Sequence, residues 1–197
     1  PYDIQVLTPM RKGELGVERL NTVLQHYLNP PSPDKKEREF HQGVIREGDK
    51  VMQIRNNYQI EWEVLGHYNL PLDKGVGVFN GDMGVVREIN HFAEQLVVEF
   101  DEGRRVTYGF AQLDELELAY AITIHKSQGS EYGAVIMPLV LSHYILLQRN
   151  LFYTAITRAK KQVYLAGSKR ALRMAVENDK TRKRYSLLAE RLKRYSE

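Results

Sequence analysis

Four polar side chains in a row, His125, Lys126, Ser127 and Gln128, follow an apolar run from Ala119 to Ile124 and stop at Gly129. The apolar, partly β-branched run reads as a buried strand. The polar set then lies where ligands bind in α/β folds, outside the carboxyl end of a strand. The chemistry on offer is recognition of phosphate and base. Lys126 can contact a phosphate, the hydroxyls of Thr123 and Ser127 can donate to phosphate oxygens, and His125 can do either or stack on a base. A purely internal role would require each of four buried polar groups to find a partner. Downstream, Leu151 to Lys160 is a mostly apolar segment with one arginine, Arg158, near its end. A guanidinium anchored there by Leu151, Phe152 and Ile156 can neutralise charge developing on a transferring γ-phosphate; a surface arginine is the plainer alternative. Two polar sites on one scaffold are implied.

The elements that must position them begin with Ile4 to Thr8, a short strand stopped by Pro9. A loop, Met10 to Gly13, leaves its carboxyl end. Val17, Leu20, Leu24, Tyr27 and Leu28 then fall at helical spacing, and Pro30, Pro31 and Pro33 end the run. Asp34 to Glu39 is nearly all charged and reads as a solvated connection without a packed face. The period then changes. Asp49 to Arg55, Gly84 to Asn90, Gln95 to Phe100 and Arg105 to Tyr108 are short β-branched segments, with Asn80-Gly81-Asp82 and Asp101-Glu102-Gly103 as turns. Closely spaced strands without helices predict a small antiparallel barrel, broken by Tyr58 to Val78 as an extended loop. After Leu118 the α/β pattern returns: the strand at Ala119, a second at Ala134 to Pro138, a helix from about Ser142 into Thr157, and a strand at Gln162 to Ala166. Two helices close the chain, Ala171 to Val176 and a basic one whose apolar stripe is Tyr185, Leu188, Ala189, Leu192 and Tyr195. The expected topology is an α/β domain interrupted by a barrel, with Ile4 to Thr8 sharing a sheet with Ala119 to Ile124.

Composition bounds the function classes. The 197 residues are 43% hydrophobic and 27% charged, ordinary globular values that allow a real core. No apolar run approaches the length of a membrane span and no signal peptide is evident, so a cytoplasmic protein without a membrane partner is expected. Zero cysteines exclude a disulfide partner, and the six histidines show no metal-ligand spacing, so no metal site is expected. Of the net charge of +3, residues 180–197 hold +5 (seven Lys or Arg against two Glu), leaving −2 for the rest. Nucleic-acid contact outside that tail must therefore come from placed groups rather than bulk charge; the tail reads either as a clamp or as a solvated helix face. The first residue is Pro, which reads as a fragment of a longer protein.

The stretches TIHKSQGSE (Thr123 to Glu131) and LFYTAITRAKK (Leu151 to Lys161) closely resemble motifs V and VI of superfamily 1 DNA helicases, nearest the RecD-like, 5′ to 3′ branch. The resemblance runs from Ile4 to about Arg173. It implies a RecA-like parallel-sheet motor domain (residues 1–43 and 118–197) interrupted by an SH3-like barrel (residues 44–117). It also implies ATP with Mg²⁺, single-stranded DNA as partner, and the N-terminal helicase domains of the same protein. Residue by residue, Arg158 matches the motif VI arginine, and Arg11 resembles a motif IV arginine that also meets the γ-phosphate; a solvated loop charge is the other reading of Arg11. Glu131, beyond the Gly129 turn, resembles a motif V carboxylate that accepts from the ribose, or else serves a helix N-terminus. Thr123, His125, Lys126, Ser127 and Gln128 resemble the group that meets DNA. The family's barrel lies along the DNA path, so Arg55, Asn57 and Tyr58 are candidates beside a reading as ordinary surface. No Gly is followed by Lys, so no GxxxxGK[ST] phosphate loop is present. Leu113-Asp114-Glu115 imitates a Walker B acid pair but lacks the buried strand before it. The expectation is half of an ATPase site, inactive alone and completed by an absent N-terminal domain. The rival reading is a non-enzymatic nucleic-acid or protein-binding module built on the barrel.

Overall fold

A computed structural model describes residues 3–66, 68, 70–179 and 192. In chain order the first elements are β1 (Ile4–Thr8), α1 (Val17–Leu28), β2 (Glu37–Phe40), β3 (Gly43–Arg46), β4 (Lys50–Gln53), β5 (Asn57–Leu65) and β6 (Pro71–Val78). β7 (Met83–Asn90), β8 (Gln95–Phe100), β9 (Arg104–Gly109), β10 (Leu116–Leu118) and β11 (Ala121–Thr123) follow. β12 (Tyr132–Leu139), α2 (Arg149–Ile156), β13 (Ala159–Gly167) and α3 (Lys169–Glu177) complete the set. β1 forms over the expected residues and joins a parallel sheet of order β11-β1-β12-β13. Val6 pairs with Ala121 on one side and Ile136 on the other, so the two expected strands share a sheet although the whole insertion lies between them. One face of this sheet, carrying Leu7, Ile122, Val135 and Met137, is packed by Ala155 of α2 and by Ala171 and Ala175 of α3. α1 lies against β11.

The second sheet is antiparallel, in the order β10-β4-β7-β8-β9-β5-β6. It rolls around one core, because Val51 and Leu116 from one end, Ile60 from near the other and Val98 and Tyr108 between them meet in a single apolar cluster. The Tyr108 hydroxyl donates to Gln53 Oε1 across the roll at 2.9 Å. Among the described residues no ladder joins β10 to β6, so the SH3-like insertion is a rolled sheet that hydrogen bonds do not close. Both expected turns form where positive φ is needed: Gly81 at +106°, Glu102 at +62° and Gly103 at +72°.

Several expectations are corrected. Tyr58 to Val78 is not a loop but the β5–β6 ladder, with Trp62 opposite Gly75. Its apolar residues do not alternate evenly toward a core: Ile60 and Val78 are buried, but both faces of residues 71–74 are exposed. Gly75 is required there: a Cβ would come within 2.5 Å of the Trp62 ring. Likewise Glu37 to Glu39 is not merely solvated chain. It pairs with β3, where Arg46 meets Glu37 at 2.7 Å, and Arg38 lies over the Phe110 ring. The helix expected from Ser142 breaks into a short 3-10 turn (Leu141–His143) and α2. The basic closing helix lies outside the described residues except Leu192.

α1 forms as expected but buries a polar face. Asn21 and Gln25 are buried while Tyr27 and Leu28 are 76% and 59% exposed. The reason is what the helix meets. The Asn21 amide donates to the carbonyls of Leu118 and Ala121 and accepts from the Ala121 N–H, pinning the crossover between the two sheets. Gln25 and Asn29 donate to buried Asp49, as do the Tyr120 hydroxyl and the Arg46 N–H, at 2.5 to 2.8 Å. Burial pushes the Asp49 carboxyl up, against the pull of these four donors.

Candidate nucleic-acid and nucleotide sites

The polar run after β11 is a tight turn whose members face different ways. The Thr123 hydroxyl oxygen accepts from the Lys126 N–H at 3.2 Å. Ser127 is fully buried, its N–H shared between the carbonyls of Thr123 and Ile124 and its hydroxyl donating to the Ile124 carbonyl at 2.7 Å. The expected DNA contact by the Ser127 side chain is thereby corrected, since the hydroxyl is satisfied inside the turn. Gly129 adopts φ +90° with open space where a Cβ would stand, and releases the chain toward β12. His125 and Gln128 are exposed. Lys126 donates through Nζ to Asn80 Oδ1 at 2.7 Å, tying this turn to the insertion.

Arg158 directly precedes β13, just beyond the end of α2. Its carbonyl accepts from the Tyr132 N–H at 2.8 Å, Nε donates to the Thr154 carbonyl and Nη1 to the Ser130 carbonyl, both at 3.3 Å. A cation at this helix end is favoured by the dipole. The same edge holds Glu131, paired with Lys160 at 3.2 Å in an exposed contact of little worth to stability. Arg158, Ser130, Glu131 and Lys160 therefore gather at the amino edge of β12 and β13. Arg11 does not join them. It hangs from the loop leaving the carboxyl end of β1, roughly 15 Å away along the strand direction, and pairs with Glu117 at 2.7 Å. That hydrogen bond holds the guanidinium more firmly protonated than usual. The parallel sheet thus puts Arg11 and Arg158 at opposite edges.

In the insertion, Arg55 pairs with Asp114 at 2.7 Å, both exposed. Asn57 is fully engaged, donating to both Glu115 oxygens and accepting from the N–H groups of Gln59 and Ile60, so its expected contact with DNA is corrected to a turn-forming role. Asp114 and Glu115 are the carboxylates of these pairings. Tyr58 is 66% exposed and stands edge-on to Phe79. Phe79 and Asn80 are not among the residues the sequence points to for DNA; the partner of Asn80 is 46 residues away and no local signal announces it. Among the described residues, no group of His, Asp or Glu is arranged to hold a metal ion.

Comparison with known proteins matches this geometry. A family model described as the SH3 domain of ATP-dependent RecD-like DNA helicases matches residues 20–100, and one described as the UvrD-like helicase C-terminal domain matches residues 118–166. The ATP-dependent RecD2 DNA helicase of Deinococcus radiodurans is 38% identical over 188 residues, covering 95% of this chain and 23% of that protein. The RecBCD enzyme subunit RecD of Mycolicibacterium smegmatis is 29% identical over 178 residues, covering 90% and 27%. The chain thus spans about a quarter of the length of these curated relatives. Among solved structures, Bacteroides Pif1 bound to ssDNA aligns with a TM-score of 0.53 at 17% identity, over 85% of this chain and 42% of that one. Pif1 helicase from Candida albicans aligns at 0.52 and 15%, over 98% and 49%. At such identities the likeness is one of fold. With both halves of the chain matched in order, it belongs to the RecD-like DNA helicases, as their SH3 domain set into a UvrD-like C-terminal domain.

Proposed function

We propose that the chain is the C-terminal motor part of an ATP-dependent 5′ to 3′ DNA helicase that binds single-stranded DNA. One observation carries the reading: the segment Thr123 to Glu131 touches both candidate sites. At one end its Ser130 carbonyl receives Arg158, and four residues earlier Lys126 reaches Asn80 of the insertion. A displacement of Arg158 therefore has a short covalent route to the surface offered to DNA, as a two-state motor requires. In this reading ATP is held between the amino edge of the parallel sheet and N-terminal domains of the same protein. Those domains supply the phosphate loop and the Mg²⁺, since this sequence has no GxxxxGK[ST]. Arg158 offers a planar, bidentate donor set to γ-phosphate oxygens, and Glu131 offers an acceptor for a ribose hydroxyl once it leaves Lys160. His125, Lys126 and Gln128 face the strand, with Thr123 and Ser127 shaping their turn and Arg55 and Tyr58 extending the path. Arg11 is assigned to the Glu117 contact. The setting is cytoplasmic.

The test is strand displacement by the full-length protein with ATP, on duplexes tailed at the 5′ or the 3′ end. Unwinding of the 5′-tailed duplex is expected. Displacement of only the 3′-tailed duplex would reverse the direction, and none from either would remove the motor reading in favour of a binding module.

A further inference from the structure

We infer that Phe79 and Tyr58 form a base-stacking step on the inserted sheet, and that Asn80 positions Lys126 to hold the phosphate of the nucleotide stacked there. The inference rests on the reading that the chain binds single-stranded DNA, and adds a subsite to it. The two rings stand 5.6 Å apart at 69°, with 66% of Tyr58 and 43% of Phe79 exposed, so each offers open aromatic surface. Large aromatics left open in a fixed arrangement are stacking platforms when cations and hydrogen-bonding groups stand beside them. Here those neighbours are immediate. Asn80 follows Phe79 in sequence and accepts from Lys126 Nζ at 2.7 Å, using one of the three ammonium donors.

The step is also pre-organised. Gly77 adopts φ +100°, and a Cβ there would come within 3.1 Å of the Phe79 ring, so the ring is seated over bare backbone. The Phe79 N–H donates to Asp82 at 3.2 Å, the Gly81 N–H to the Gln53 carbonyl at 2.9 Å, and the Asn80 N–H to Asn56 at 2.9 Å. Asn56 in turn donates to the Tyr58 hydroxyl at 3.1 Å, so one side chain braces both the turn and the second ring. A Cβ at Gly81 would meet nothing within 4 Å, leaving the approach open. A rigid platform loses little freedom on binding. A protein partner also fits exposed aromatics, but the cation one residue from the rings and the polar rim of Asn56 and Asn80 favour a nucleotide.

The experiment measures binding of fluorescent oligo-dT and oligo-dA to the 197-residue chain by anisotropy over a salt series. Phe79→Leu keeps an apolar side chain and removes the ring; it is expected to weaken binding of both oligonucleotides about tenfold with an unchanged salt slope. Phe79→Trp should restore binding, and Tyr58→Leu should mimic the loss. Asn80→Ala should weaken binding and lower the salt slope by about one, as a mislaid phosphate contact would; thermal unfolding of each variant checks that the fold is intact. Phe79→Leu binding like the parent while Lys126→Ala weakens binding would overturn the stacking step and leave DNA binding standing. A parent chain that binds neither oligonucleotide at low salt would overturn both.

Discussion

At the scale of the residue, neighbours in sequence have been given opposite tasks by one turn. Ser127 is buried and bonded to the Ile124 carbonyl, while His125 and Gln128 on either side stand in solvent. Arg158 is held by two carbonyls rather than by a carboxylate, so another anionic partner need not displace a salt bridge to reach it. Replacing Arg158 with Ala in the full-length protein is expected to lower DNA-stimulated ATP turnover by about 10² or more, with DNA binding unchanged. Lys should rescue little, because a point charge does not reproduce a planar fork. Steady-state turnover within about threefold of the parent would remove Arg158 from the chemistry. Lys50 is a second case of a placed charge. Burial pushes its amine down to about 8, although Gln5 Oε1 and the Ile4 carbonyl accept from it. The folded chain then loses this proton before the unfolded chain does. Between the folded value of about 8 and the ordinary 10.5, the unfolded state binds more protons and the Lys50 contribution to stability rises with pH. Urea midpoints across that window should rise more for the parent than for Lys50→Met; equal slopes would show that Lys50 is not the group responsible.

At the scale of the element, the decisive joint is the contact of α1 with the two sheets. Asp49 gathers donors from α1, the residue after it, β3 and the crossover to β11, so losing it leaves several buried donors without an acceptor. Asp49→Ala is expected to cost about 2–4 kcal/mol, read as a lower urea midpoint. A cost below about 0.5 kcal/mol would mean that water replaces the carboxylate and the joint is soft. The carboxyl is pushed up by burial, so the folded state binds more protons than the unfolded one above the ordinary carboxylate value; this stability is lost as pH rises through the folded value, and part of the cost of Asp49→Ala should shrink with it. Within the β5–β6 hairpin, the Trp62 ring packs onto Gly75 of the opposite strand. Gly75→Val should unseat the ring and expose the hairpin end to protease while the parallel sheet stays resistant; an unchanged digestion pattern would deny Gly75 that role.

At the scale of the whole molecule, a parallel sheet interrupted by a rolled antiparallel sheet brings residues a hundred or more apart into contact, as Arg11 with Glu117 and Asn21 with Ala121 show. The two sheets do not share one core, but Met52 of the insertion packs into the cluster beneath the parallel sheet. The parts should therefore unfold together. A single coincident transition by tyrosine fluorescence and far-ultraviolet circular dichroism is expected, and two separated transitions would show the insertion to be an independent unit.

The sequence by itself determined the periods: apolar runs that must be strands, a change from α/β spacing to closely spaced β segments and back, and glycines where φ turns positive. It also singled out Lys126 and Arg158 as candidates, because the motifs that mark them are local. It did not reveal that α1 would bury Asn21 and Gln25 rather than Tyr27 and Leu28, since the carbonyls and the carboxylate that satisfy those amides come from distant parts of the chain. Nor did it reveal β5 and β6, in which Ile60 and Val78 reach the core but most other side chains are exposed or half-buried, so that the alternation marking a half-buried strand is missing. Only tertiary structure decided that Arg11 and Arg158 would lie at opposite edges of the sheet and that Lys126 would meet Asn80. Position along a parallel strand, and contact across two sheets, follow from which strands pair, and pairing is decided by long-range packing rather than by any local run of residues.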